Sequence, residues 1–261
     1  MIGAPTVVTA YYPIPSKMPI EKYIDLIFHF WPKMKCSLIF FTDPKIAPQF
    51  EELFKQKEGR TIVIGIPFEE LRAFHKLSSN IWIHTKQYDP EYKMHSPELY
   101  AIWYEKKEFI LRAIELNPFN SEQFIWCDAG IGRFPDWISK LAGFPLASKI
   151  PSNKMLVLRL SPFEGKADKY GIYGNFKEEI TVGGGILASD INGWKSWSKA
   201  YDAMLMKYYL TDRFIGKDQN IMASMILKNP ESVIMIDPPA NLNTIQRWFF
   251  LLLYLGGVNV G

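Results

Sequence analysis

The sequence is that of a nearly neutral, aromatic-rich chain of domain size. Its 261 residues are 48% hydrophobic, 22% charged and 15% aromatic, with a formal net charge of +3. This composition excludes a disordered, collagen-like or coiled-coil protein, and the small basic excess gives no reason to expect a nucleic-acid partner.

Apolar patterning predicts strands that alternate with helices. In chain order, strands are predicted at residues 6–10, 36–42, 61–66, 124–128, 155–160, 180–187 and 232–236, and helices at residues 20–30, 48–57, 96–116, 194–210 and 218–227. Such alternation is typical of βαβ units around a mainly parallel sheet. We therefore predict an α/β fold with a central mixed, mainly parallel sheet flanked by helices, in one domain over residues 1–261.

The longest predicted helix carries a lysine on its apolar face. Ser96 and Pro97 are typical of a helix start, and Asn117, which precedes a proline, is typical of its end. Lys106 falls inside the apolar stripe, three residues after Trp103. Its ammonium must therefore either extend past that stripe to solvent or meet an anion.

Searches for nucleotide and hydrolase motifs are negative. The chain has no P-loop, no G-x-S-x-G and no H-E-x-x-H. Residues 183–188 match G-x-G-x-x-A, but no acidic residue ends a strand about 20 positions later, so we do not expect a dinucleotide fold. The spacing of His75, His84 and His95 does not place them on one helical face, and we interpret each as a surface or loop residue.

Residues 124–133 are the segment whose sequence points most clearly to a ligand-binding site. A predicted buried strand ends on Asp128, and glycines at positions 130 and 132 follow. Ligands of open α/β sheets bind beyond the carboxyl ends of strands, so we expect Asp128 to point into a crevice. A carboxylate there could hold a divalent cation that carries a diphosphate. An Asp that caps a turn or a following helix is the equally compatible alternative.

Cysteine usage and apolar runs bear on the compartment. Cys36 and Cys127 lie far apart and match no disulfide or zinc spacing, which favours a reducing compartment, and we expect a cytoplasmic protein. The first residues lack the regions of a signal peptide. The longest apolar run, residues 248–255, is far shorter than the roughly 20 residues that span a bilayer. We interpret it as a buried helix, with peripheral membrane contact as the alternative.

Several segments, taken in order, resemble one protein family. They are residues 6–12 (TVVTAYY), 99–106 (LYAIWYEK), 126–133 (WCDAGIGR), the glycine run 183–185 and the pair 218–219 (DQ). Together they resemble the HtrL/YibB family over most of the chain, and its members are regarded as glycosyltransferases of the GT-A type. The Trp-x-Asp-x-Gly-x-x-Arg element is the most specific part.

The resemblance implies a single GT-A-like domain that transfers a sugar. The donor would be a nucleotide sugar, with uridine diphosphate as the expected carrier, and the acceptor a glycan or another hydroxyl compound. Asp128 would stand where GT-A enzymes carry a metal-binding Asp-x-Asp. The implied cofactor is Mn²⁺ or Mg²⁺, with Asp237 at the end of the last predicted strand as a candidate second ligand.

The sequence departs from the GT-A pattern at the metal position. Ala129 and Gly130 follow Asp128, no Asp-x-Asp occurs in the chain, and no histidine follows His95. A cationic side chain such as Lys106 or Arg133 could balance phosphate charge instead.

The resemblance and the local chemistry together predict a set of site residues. Asp218 and Asp128 are the expected catalytic carboxylates, although Asp218 could also serve only as a helix N-terminal acid. The glycine run would let the backbone approach a ligand, or form a bulged strand. Tyr11 would face a nucleobase, or lie in the core. The expected donor-binding residues are Thr9, Tyr11, Lys106, Asp128, Arg133, Gly184, Gly185 and Gln219.

Two other function classes stay open at this point. One is a non-catalytic protein that binds nucleotide sugars or glycans on a degenerate GT-A scaffold. The other is a nucleotidyltransferase, which normally needs a glycine-rich basic loop after its first strand. Residues 11–15 contain no glycine, so the first alternative is the stronger one.

Overall fold

Seven strands form the central sheet of the protein. The computed structural model describes residues 3–163, 167–173 and 180–259. The strands are β1 Thr6–Tyr11, β2 Ser37–Thr42, β3 Thr61–Gly65, β4 Gln123–Cys127, β5 Met155–Arg159, β6 Val182–Asp190 and β7 Val233–Ile236. Their order across the sheet is β3-β2-β1-β4-β6-β5-β7.

The sheet is mixed and mainly parallel, as predicted. Strand β1 is parallel to β2 and β4, β2 is parallel to β3, and β5 is parallel to β7. Strand β6 runs antiparallel to both of its neighbours, β4 and β5. In this register Cys127, at the end of β4, lies opposite Ile186. The carboxyl end of β4 therefore meets the middle of β6, next to its glycines.

Helices cover both faces of the sheet. The described residues form ten α-helices: α1 Ile20–Phe30, α2 Ala47–Phe54, α3 Arg72–Lys76, α4 Ser79–Thr85, α5 Pro97–Leu116, α6 Pro135–Ile138, α7 Ile191–Tyr209, α8 Asp218–Lys228, α9 Thr244–Trp248 and α10 Phe250–Leu255. The long helices match the predicted ones. The short helices α3, α4 and α6 were not predicted, and residues 248–255 divide between α9 and α10 at Phe249.

Two apolar clusters lie on opposite faces of the sheet. Val8 of β1 packs with buried side chains of α5, α7 and α8, whereas its neighbour Val7 packs with α1, α2 and α10. Successive side chains of a strand point to opposite faces, so a strand covered on both sides is apolar throughout. This explains why every residue of β2 is buried.

The apolar run near the end of the chain lies inside the protein. Leu251, Leu252, Leu253 and Leu255 of α10 are each at most 2% exposed and belong to the cluster with α1 and α2. The interpretation as a buried helix is thus confirmed for α10, whereas Trp248 belongs to α9, and Trp248, Phe249 and Tyr254 are only half-buried. No helix in the described part of the chain is long and apolar enough to cross a bilayer.

Helix α5 has the boundaries that its sequence predicts. The Ser96 hydroxyl accepts a hydrogen bond from the backbone N–H of Leu99, and Asn117 ends the helix in the left-handed conformation with φ of 34°. The helix packs against both β1 and β4. Lys106 therefore lies near the carboxyl end of β4.

Candidate functional site

Three charged side chains from three elements meet beyond the carboxyl end of β4. We call Lys106, Asp128 and Asp218 the charged cluster. The Lys106 ammonium nitrogen lies 3.1 Å from an oxygen of Asp128 and 2.9 Å from an oxygen of Asp218. It also donates a hydrogen bond of 2.9 Å to the carbonyl of Gly184. An ammonium has three N–H groups, so each of them has an acceptor. Two positions were predicted for the Lys106 ammonium, in solvent or beside an anion, and the structure shows the second.

Asp128 is held in place by β4 and β6. Its backbone N–H donates to the Gly185 carbonyl at 2.8 Å, which continues the pairing of the two strands by one residue. The indole N–H of Trp126 donates to the Asp128 carboxylate at 2.8 Å. The Asp128 side chain is nevertheless 42% exposed to solvent. The carboxylate is therefore both fixed in orientation and accessible from outside.

Asp218 is the first residue of α8 and lies against the glycine run of β6. Its side chain is 8% exposed and accepts a hydrogen bond from the backbone N–H of Gln219. A Cβ atom on Gly184 would lie 2.7 Å from a carboxylate oxygen of Asp218, a contact that real side chains do not make. The missing side chain at Gly184 thus permits the approach of Asp218. The register of β5 and β6 also shifts between Leu156 and Leu158, so a strand irregularity is present as well.

Burial and mutual charge set the protonation of the cluster. Burial lowers the pKa of Lys106, but the carboxylates of Asp128 and Asp218 outweigh this and raise it above the usual range. Lys106 is therefore charged at neutral pH. Burial raises the pKa of Asp128, while Lys106 and the Trp126 indole lower it and Asp218 raises it again. The net effect is a pKa of the Asp128 carboxyl above its usual range, with burial as the largest cause.

A cavity of about 190 Å³ opens over the charged cluster. Seven residues predicted for the site line it together: Lys106, Asp128, Arg133, Gly184, Gly185, Asp218 and Gln219. Its aromatic walls are Tyr23, Trp103, Trp248 and Phe249, and none of these four was predicted as a site residue. They come from α1, α5 and the C-terminal segment, and no local pattern separates them from core aromatics.

A second cavity of about 90 Å³ adjoins the first at the carboxyl end of β1. Tyr23, Trp103, Lys106 and Asp128 line both cavities, and Tyr11 lines only the second. The Tyr11 hydroxyl is buried and has no hydrogen-bond partner among the described residues. Burial raises the pKa of Tyr11 to about 12, so its hydroxyl keeps the proton as a donor.

Thr9 lies deeper than the other predicted donor-binding residues. Its side chain is fully buried in β1, and it lines neither of the two cavities. Its hydroxyl also lacks a hydrogen-bond partner in the part of the chain that the structure describes.

Arg133 and Gln219 differ in how free their side chains are. Arg133 is exposed, and its Nε donates to the Gly130 carbonyl at 3.2 Å. Its guanidinium lies over the Phe249 ring at 5.4 Å, and no described carboxylate forms an ion pair with it. Gln219 instead donates its side-chain amide to the Val182 carbonyl at 2.9 Å. Arg133 is therefore the cation of this cavity that can still accept an anionic ligand.

The structure does not place Asp237 with Asp128. Asp237 lies beyond β7 and forms a two-point ion pair with Arg159, at 2.6 and 2.5 Å. It lines neither cavity. Both side chains are well exposed, as expected for a plain strand exit.

The histidines lie outside the charged cluster. His75 and His84 belong to α3 and α4. His95 lies in the loop before α5, but it is 4% exposed and not at the surface. Its Nδ1 lies 2.9 Å from the Asp89 carboxylate, which also accepts a hydrogen bond from the hydroxyl of Tyr100 near the start of α5.

The residues of the cluster fit an ammonium rather than a divalent metal ion. No group of three or more Asp, Glu, His or Cys side chains that could hold a metal occurs among the described residues. The two carboxylates that approach each other, Asp128 and Asp218, already share the charged group of Lys106. The donor set implied by the GT-A pattern is therefore not assembled here.

The whole fold is similar to that of a sugar transferase. The crystal structure of mouse xyloside xylosyltransferase 1 in its apo form matches with a TM-score of 0.52. The match covers 94% of this chain and 93% of that chain, at 10% sequence identity. This similarity shows the fold class, a glycosyltransferase-like α/β fold, and confirms that prediction.

The family follows from the sequence itself. A family model described as a bacterial protein of unknown function (HtrL_YibB) matches residues 5–238. The chain therefore belongs to the HtrL_YibB family, as its segments predicted. A search of curated proteins finds no match.

Proposed function

We propose that this protein is a glycosyltransferase that moves a sugar from a nucleotide-sugar donor to a glycan or another hydroxyl acceptor. One observation carries the proposal. The charged cluster lies in a cavity at the carboxyl ends of β-strands, the edge where open α/β folds bind ligands, in a fold similar to that of a xylosyltransferase. A carboxylate can take the proton of the acceptor hydroxyl, and a cation can stabilise the charge of the leaving diphosphate.

The two adjoining cavities suggest how the donor would lie. The nucleoside, with uridine as the first candidate, would occupy the smaller cavity, where the unpartnered hydroxyl of Tyr11 would gain a hydrogen bond. The diphosphate and sugar would extend into the cavity over the charged cluster. Arg133, which pairs with no carboxylate of the described residues, would contact the phosphates.

The chemistry would need few protein groups. The acceptor oxygen would form a bond to the anomeric carbon as the bond from that carbon to the diphosphate oxygen breaks. Asp218, the carboxylate beside the glycine run, would face the sugar, and the more exposed Asp128 would lie at the diphosphate end. One of these carboxylates would take the acceptor proton. The Mn²⁺ or Mg²⁺ ion that the family resemblance implies has no assembled ligand set among the described residues.

Two features favour a second candidate, a protein that binds nucleotide sugars without turning them over. Each carboxylate of the cluster already has one oxygen engaged by Lys106, and Gly130 stands where a second Asp would be expected. A binding protein would show saturable affinity for a donor with no release of the sugar.

The proposal is tested by ligand-induced thermal stabilisation. A panel of UDP-linked and other nucleotide sugars, each with and without Mn²⁺ or Mg²⁺, should include at least one that raises the unfolding midpoint, because a ligand that binds only the folded state stabilises it. Arg133→Ala should reduce this shift. The matched control is Arg159→Ala, since Arg159 is paired with Asp237 outside both cavities. A flat panel would contradict the proposal.

A further inference from the structure

We infer that the Lys106 ammonium is the resident cation of this site and holds the position that a divalent metal ion would occupy between Asp128 and Asp218. The inference deepens the proposed function, and it rests on that function only where nucleotide binding is concerned. Occupation of this cation position can be tested with a metal ion alone, without nucleotide.

The oxygens around Lys106 form a cation site. One oxygen of Asp128, one of Asp218 and the Gly184 carbonyl lie 3.1, 2.9 and 2.9 Å from a single point, the ammonium nitrogen. Hard divalent cations choose carboxylate and carbonyl oxygens at about 2.0–2.6 Å. An ion held by these three oxygens would lie close to the position of the nitrogen, once the oxygens had moved inward to these shorter distances. The ion and the ammonium therefore exclude each other.

The ammonium is fixed in this position by its surroundings. Lys106 is only 7% exposed, extends from the middle of α5, and lies 6.0 Å from the ring centre of Trp126. If it moved away, a charged group would lose all three acceptors within the protein, and Asp128 and Asp218 would keep only neutral donors, the Trp126 indole and the Gln219 amide. Both changes are costly for buried charges.

Removal of the ammonium should uncover the metal site. In Lys106→Ala the oxygens of Asp128, Asp218 and Gly184 would surround a space open to water. Two carboxylates, a carbonyl and water molecules are a suitable ligand set for Mn²⁺. The wild-type chain, in contrast, should need no divalent ion to neutralise these carboxylates.

The test is a titration of the protein with Mn²⁺ in the absence of nucleotide. The electron paramagnetic resonance signal of free Mn²⁺ measures how much of the ion stays unbound. We expect Lys106→Ala to bind one Mn²⁺ per chain at least tenfold more tightly than the wild type, and Lys106→Ala/Asp128→Asn to lose this binding. Lys107→Ala is the matched control, because Lys107 is the next buried lysine on α5, and its carboxylate partners Glu108 and Asp202 would still have the ammonium of Lys76 beside them. It should bind Mn²⁺ as weakly as the wild type.

Two results would overturn the inference. The first is a wild-type chain that binds one Mn²⁺ and loses it in Asp128→Asn, a comparison that does not involve a Lys106 variant. The second is a folded Lys106→Ala variant, verified by circular dichroism, that gains no Mn²⁺. If Lys106→Ala does not fold, Lys106→Gln replaces it, since Gln is neutral and retains most of the stem.

The inference can fail separately from the proposed function. A flat nucleotide-sugar panel with the expected Mn²⁺ results would contradict the glycosyltransferase and leave the cation site standing. Donor binding by the wild type that EDTA abolishes would contradict the resident cation and leave the glycosyltransferase standing.

Discussion

At the scale of single residues, the site depends on how closely side chains approach the backbone of β6. Asp218 lies against Gly184, where a Cβ atom would be 2.7 Å from its carboxylate oxygen. Asp128 lies against Gly185, where a Cβ atom would be 3.4 Å from its carboxylate oxygen, an ordinary contact distance. Only the first of these two adjacent positions thus requires a glycine for the approach of a carboxylate, although the sequence shows both in one run.

This difference gives a matched pair of variants. Gly184→Ala should displace Asp218 from Lys106 and lower turnover of the donor by roughly 100-fold, the order expected from a misplaced catalytic group. Gly185→Ala should stay close to the wild type. Steady-state rates and unfolding midpoints of both variants check this. Equal behaviour of the two variants would contradict the close-approach explanation.

Some residues of the candidate site could be predicted from the sequence, and others could not. Asp128 was predicted because it ends an apolar run and glycines follow it. Lys106 was singled out because a charge inside an apolar stripe needs an explanation. Trp103 and Trp248 were not predicted, since an aromatic residue that lines a cavity has the same sequence pattern as one in the core. The partners of Lys106 depend on contacts between distant segments, which periodicity does not encode.

At the scale of elements, helix α5 is notable for consecutive buried charges. Glu105, Lys106, Lys107 and Glu108 are each at most 7% exposed. Lys106 faces the candidate site, whereas Glu105 faces α3 and accepts hydrogen bonds from the backbone N–H groups of Arg72 and Ala73. The helix therefore links the site to α3 through polar contacts, in addition to its apolar packing.

Glu105 should make the stability of the protein depend on pH. Burial raises its pKa from 4.5 to about 7, although the amides of Arg72 and Ala73 lower it. Because the pKa of Glu105 is higher in the folded than in the unfolded state, its protonation stabilises the folded protein. This contribution is complete below pH 4.5 and is lost as the pH rises through about 7. Relative to Glu105→Gln, the free energy of unfolding of the wild type should fall by about 3 kcal/mol over this range.

Urea unfolding across a pH series measures this effect. Glu98→Gln is the control, because Glu98 is an exposed carboxylate in the first turn of the same helix, and it should keep the wild-type slope. Parallel curves for the wild type and Glu105→Gln would show that Glu105 does not titrate as described.

Element prediction succeeded where the apolar pattern had clear end signals or was long enough to show its period. The strands are short apolar runs with clear boundaries, and α5 has an N-cap serine and a left-handed asparagine at its ends. Helices α3 and α6 have only five and four residues, too few for a helical period to appear. The run 248–255 was predicted as one helix because its apolar character is continuous. The backbone nevertheless leaves the helical conformation at Phe249, where φ is −110° and ψ is 7°.

At the scale of the whole molecule, distant parts of the chain complete one site. The C-terminal segment returns to the face of the sheet that carries α1, where α10 joins the apolar cluster. Trp248 and Phe249, just before α10, line the cavity over the charged cluster. We propose that the chain behaves as one domain, since residues from β1 to α10 contribute to the two cavities or to their support.

Variants of the C-terminal segment test its structural role. Leu253→Ala should lower the free energy of unfolding by about 2–5 kcal/mol, because Leu253 is 2% exposed within the apolar cluster. Ile245→Ala should change it by less than about 0.5 kcal/mol, since Ile245 is 60% exposed. Denaturant unfolding measures both. A small effect of Leu253→Ala would mean that α10 is not an integral part of the core.

The most direct test of the charged cluster as an active site is a rate measurement. It follows the release of nucleoside diphosphate from the nucleotide sugar that raises the unfolding midpoint of the protein. The wild type should turn the donor over, and Asp128→Asn should slow release by about 100-fold or more, as expected when a preorganised charged group is lost. Asp237→Asn, which changes an exposed carboxylate paired with Arg159, should keep the wild-type rate. An Asp128→Asn variant that retains its fold and the wild-type rate would contradict the assignment of the charged cluster as the active site.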